Sequence, residues 1–87
     1  MKIRDAGKGY RAPYEDREDE WVVELEEGET PEDVRKHFFG NVIGRTLPTH
    51  DEWLRINPCA HAWWNGYCDF EVFGKRVYVR YVEPYCD

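Results

Sequence analysis

The sequence predicts a small α+β domain: an antiparallel sheet of about four strands with two short helices packed on one face. Three observations predict it. Two tight-turn dipeptides, Asn65-Gly66 and Gly74-Lys75, divide the C-terminal third into three alternating segments. Two helix-start signals, Thr30-Pro31 and Thr49 with Glu52, stand in the middle of the chain. A segment of period two, residues 21–26, precedes both. At 87 residues there is room for one domain. Four Trp, six Tyr and four Phe supply the apolar bulk that so short a chain needs for a core.

Taken in order, residues 1–14 carry Lys2, Arg4, Lys8 and Arg11 with Gly7, Gly9 and Pro13, and show no sustained periodicity. They read as a basic arm or an irregular edge segment, with the α+β domain proper over residues 15–87. In residues 21–26, Trp21, Val23 and Leu25 share one face of a half-buried strand. Gly28 ends that strand. Thr30 then stands as N-cap with Pro31 in the first turn, and Val34 and Phe38 lie one turn apart, which predicts a helix over residues 31–39 stopped by Gly40. Residues 41–48 are a connection, with a short extended piece at Val42-Ile43. Thr49, three residues before Glu52, opens a second helix that Pro58 closes near Ile56.

The C-terminal meander has a register that its turns dictate. A two-residue loop at Gly74-Lys75 sets Phe73 opposite Arg76, Glu71 opposite Tyr78 and Asp69 opposite Arg80. The Asn65-Gly66 loop sets Trp64 opposite Tyr67, Trp63 opposite Cys68 and His61 opposite Phe70. One face then holds Cys59, His61, Trp63, Cys68, Phe70, Val72, Val77, Val79 and Tyr81 and is the core face. The other holds Trp64, Tyr67, Asp69, Glu71, Arg76, Tyr78 and Arg80 and is solvated, with cross-strand charge pairs.

Charge is distributed unevenly. Residues 15–33 contain eleven carboxylates and one cation, Arg17, and the whole chain carries a net charge of −6. Such a block favours a cationic partner and repels a phosphate backbone. The N-terminus lacks an apolar signal core, and no stretch approaches the ~20 apolar residues of a membrane span. The expectation is a cytoplasmic protein with no membrane association, and three reduced cysteines agree with it.

Chemistry-bearing constellations are sparse. Cys59, His61, Cys68 and Cys86 invite a zinc reading, yet the register spreads them too far for one tetrahedral centre with ~2.3 Å Zn–S bonds. No metal or cofactor is expected. The run Gly40 to Thr46 departs from a phosphate loop in glycine spacing, in its Arg, and in following a helix. There is no Ser, and the nearest thiol–imidazole pair, Cys68 with His61, is diagonal on the core face. The chain is therefore expected not to be an enzyme.

Two surfaces remain for binding. One is the acidic block, represented by Glu18, Asp19, Glu20, Glu24, Glu26, Glu32 and Asp33. The other is the solvated sheet face, with Trp64, Tyr67, Arg76, Tyr78 and Arg80, residue types enriched at binding hot spots. Together they predict a protein-binding module, an inhibitor that occupies a basic and even nucleic-acid-binding surface of a protein partner. Small acidic single domains of this kind are typical of phage proteins directed at host machinery, including anti-defence proteins. That is an association from size and composition. The alternative is a single-stranded nucleic-acid binder that uses the basic arm and the Arg/aromatic face.

Overall fold

The computed structural model describes residues 1–7, 9–11, 16–56 and 66–83. Among these residues five strands and two helices follow one another: β1 (Lys2–Gly7), β2 (Tyr10–Arg11), β3 (Asp16–Glu24), α1 (Pro31–His37), α2 (His50–Ile56), β4 (Tyr67–Phe73) and β5 (Arg76–Glu83). A π-helical turn, Phe38–Val42, continues α1 without a break. The strands form an antiparallel sheet in the order β1-β3-β5-β4, with β2 pairing β3 beyond the end of β1. The α+β class, an antiparallel path of four strands and two short helices agree with the sequence reading, although one of the four is β1, from the segment read as a basic arm or irregular edge.

The hairpin β4–β5 has the register its turn dictates, with Phe73 opposite Arg76, Glu71 opposite Tyr78 and Asp69 opposite Arg80. Gly74 takes φ +60° in that turn, a value glycine adopts without strain. The first predicted strand of the meander, residues 60–64, lies outside the described residues. So do Cys59, His61, Trp63, Trp64 and Cys86.

The strand predicted over residues 21–26 runs instead from Asp16 to Glu24 and lies inside the sheet, between β1 and β5. Five charged residues in succession, Asp16 to Glu20, are thus strand, although no apolar alternation marks them. Residues 2–7 form the edge strand β1, and a bulge between Asp5 and Gly7 shifts its register.

The main core lies on one face of the sheet. Trp21, Val23, Val77, Val79 and Cys68 pack there beneath Val34 and Phe38 of the helical segment, with Leu47 at the margin. Phe38 is the hub, its ring 5.0 Å from Trp21 and 6.4 Å from Phe70. Asp33 reaches back to the Thr30 amide at 2.8 Å, which closes the start of α1.

Gly40 does not stop this helix. The Ile43 amide donates to Phe38 O at 2.7 Å, a wide turn that carries the chain past Gly40. The stop falls at Gly44, whose φ is +82°. Val42-Ile43 is accordingly helical turn and bend, not an extended piece.

The sequence reading packs both helices on one face, whereas the register assigns them to opposite faces. Trp53 of α2 packs with Tyr67 and Val82 in a second, smaller core. Tyr67 and Val82 are opposite one another and one residue out of step with Cys68 and Tyr81, so they point away from the main core. The chain crosses β4's outer edge at Pro48, whose carbonyl accepts from the Cys68 amide at 2.9 Å. Thr49 and Glu52 bond reciprocally at the start of α2. Asp69 Oδ1 accepts from the His50 amide at 2.9 Å, which ties α2 to β4.

Candidate binding face

The face of the sheet away from α1 is a lattice of cross-strand rows. Phe73, Arg76, Glu24 and Lys2 lie side by side across β4, β5, β3 and β1. Glu71, Tyr78, Val22 and Arg4 form the next row, and Asp69, Arg80, Glu20 and Gly7 the third. Beyond them, Tyr67, Val82 and Glu18 sit at the end that Trp53 covers. An open groove of about 880 Å³ runs over the rows, bordered by Ala6, Glu20, Asp69, Glu71, Phe73 and Tyr78 among others.

Most of the predicted acidic block is engaged within the molecule. Glu18 is nearly buried and accepts from Arg80 Nε at 2.8 Å, while Glu20 stands 4.0 Å from the same guanidinium. That hydrogen bond to Glu18 raises the Arg80 pKa further. Glu24 faces Arg76 at 3.8 Å, and Glu32 faces Arg35 at 4.0 Å. The Met1 ammonium is held by Glu26 at 2.9 Å and Glu29 at 2.7 Å. These bonds raise the ammonium's pKa and lower that of Glu29, in each case because hydrogen bonding favours the charged form. Asp33 serves as the cap of α1.

Two predicted site residues are not surface residues. Asp19 is 5% exposed. It lies in register with Tyr81, on the α1 side of the sheet, where Arg17 Nε reaches it at 3.2 Å. Tyr67 is 8% exposed because α2 sets Trp53 over it, ring centroids 5.3 Å apart, with His50 at 4.7 Å on another side. Trp64 lies outside the described residues. The remaining site residues, Glu20, Glu24, Arg76, Tyr78 and Arg80, do come together on the open face, and Glu26 and Glu32 are exposed nearby in sequence.

The exposed apolar side chains sit at the hairpin end. Phe73 is 59% exposed, Val72 50% and Tyr78 41%. Phe73 and Tyr78 meet edge to face at 5.4 Å on the open side. Val72, predicted in the core, lies opposite Val77 on the α1 side but on the last strand of the described sheet, where it stays half exposed. Phe73 was absent from the predicted site, although a signal for it exists. It stands opposite Arg76 by the turn's register and so belongs to the solvated face.

The acidic connection after β3 adjoins this end, since the Leu25 amide donates to Lys75 O at 2.8 Å. A thiol is described only at Cys68. Burial pushes its pKa up to about 12, so it is a core side chain and not a nucleophile. Among the described residues no group of His, Cys, Asp and Glu is placed to hold a metal ion. No described helix is long and apolar enough to cross a membrane. Comparison with protein-family models, with curated proteins and with solved structures finds no match.

Proposed function

We propose that the chain is a non-enzymatic protein-binding module that anchors on a partner through the hairpin end of its open sheet face. The observation that carries this reading is the exposed Phe73–Tyr78 pair beside Arg76. Aromatic and Arg side chains are the usual anchors of an interface, and a mixed-charge rim is its usual surround. Exposed carboxylates at Glu24, Glu26 and Glu27 border this end and favour a partner with a basic surface. Such a module is an inhibitor wherever the surface it covers is one the partner needs. Two of the open face's cations, Arg76 and Arg80, do not favour nucleic acid, because each is held by carboxylates that would face a phosphate backbone.

The test is capture of partners on the tagged protein, with and without nuclease. Capture should resist nuclease and weaken on reversing Glu24, Glu26 and Glu27 to Lys. Asp33 is left unchanged because it closes α1. Loss of all capture on nuclease treatment would replace this reading with the nucleic-acid one.

A further inference from the structure

The edge strand β1 has an orientation that the ladder determines. On β3, the Leu25 amide bonds toward β5 and the Glu18 amide bonds toward Gly9 on the β1 side. Alternate residues of a strand direct their backbone groups to opposite neighbours. Odd residues of β3 therefore serve β5 and even ones serve β1. Lys2 and Arg4, opposite Glu24 and Val22, are turned inward. Ile3, opposite Val23, turns its N–H and C=O to the outside. Every residue of β1 is exposed, and no described strand lies beyond it.

The side chains define what could lie there. Lys2 and Arg4 are exposed on the open face of the sheet, and Ile3 is exposed on the other face. A strand added along this edge would place alternate side chains beside the two cations and the intervening one beside Ile3. Opposite charges and apolar pairs are what adjacent strands favour. The bulge between Asp5 and Gly7 limits the straight edge to residues 1–5, about 16 Å at strand rise.

We propose that β1 is a strand-addition site for an extended acidic segment of a partner protein, one in which carboxylates alternate with β-branched residues. Main-chain bonds to Ile3 supply attachment, and the Lys2–Arg4 pair selects against basic segments. The edge lies three strands across the sheet from Phe73, in the same row with Glu24 between them, so the Phe73 and Tyr78 side chains test the one reading and Ile3 tests the other.

The probe is a blocked nonapeptide alternating Glu and Val, compared with its Lys/Val counterpart. The Glu/Val peptide should slow hydrogen exchange of the Ile3 amide, and the Lys/Val peptide should not. Ile3→Pro removes an N–H that β3 does not use, at an edge position that tolerates proline. It should weaken the Glu/Val peptide by about two- to tenfold, the worth of one lost bond. The double variant Lys2→Glu/Arg4→Glu alters only exposed side chains. It should reverse the preference, which keeps the test open should Ile3→Pro fold poorly. Equal binding of the two peptides, unchanged Ile3 exchange, or undiminished binding by a folded Ile3→Pro would each overturn the proposal. So would a dimer of the free protein that Ile3→Pro abolishes, because the edge would then belong to a second copy.

Discussion

The two faces of this sheet are made by the same strands, and they differ in what lies over them. On one face Trp21, Val23, Val77 and Val79 are sealed by Val34 and Phe38 of the helical segment. On the other, Glu20, Glu24, Arg76 and Arg80 neutralise one another in water, and Phe73 and Tyr78 stand uncovered at one end. The difference teaches that strand alternation decides which way a side chain points but not whether anything meets it. Val72 points to the core side and stays half exposed. Tyr67 points to the open side and is buried.

The sharpest chemical contrast is at Cys68. With its thiol pushed up to about 12 by burial, against an ordinary 9.0, it stays protonated where a free thiol begins to ionise. In a Cys59→Ala/Cys86→Ala variant, alkylation at pH 8 should follow the rate of unfolding. Rapid alkylation of the native protein would mean that the helical cover is not in place.

In stability, the largest expected loss is Phe38→Ala. It removes the aromatic hub of the sealed face and should cost about 3–5 kcal/mol by urea unfolding. Arg17→Ala comes next, because it strands the buried Asp19 carboxylate, a loss of roughly 1–3 kcal/mol. On the open face, Arg80→Ala should cost about 1 kcal/mol, since its partner Glu18 is nearly buried. Arg76→Ala, facing the exposed Glu24 at 3.8 Å, should stay below about 0.5 kcal/mol. The reverse order for the two arginines would break the distinction between a clamp and a solvated pair.

The parts legible in the sequence are those under local control. The Gly74-Lys75 turn and the period-two strands determine every pair of the β4–β5 hairpin, and Thr30 and Thr49 mark both helix starts within a residue. Three features were not legible, each for a tertiary reason. Asp16 to Glu20 is strand because β1, β2 and β5 bond to it, which no apolar pattern records. The acidic block is largely neutralised because Arg80, Arg76 and the Met1 ammonium arrive from distant positions in the chain. Tyr67 is buried because the chain passes β4's edge at Pro48 and brings Trp53 over it. Of the candidate site, Tyr78, Arg76 and Arg80 were found from the register. Phe73 shares that register, but its exposure depends on nothing covering the hairpin end, which no residue pattern records.

The most direct test of the account is the double variant Phe73→Ser/Tyr78→Ser, measured for its urea midpoint and for capture of the nuclease-resistant partner. Both side chains are exposed, and their edge-to-face contact is worth about 0.5–1.5 kcal/mol. The account predicts a folded protein, destabilised by that contact and by the partial burial the two rings lose, about 1–3 kcal/mol in all, with partner capture lost. Capture that survives in the folded variant would contradict it and remove the hairpin end as the binding anchor.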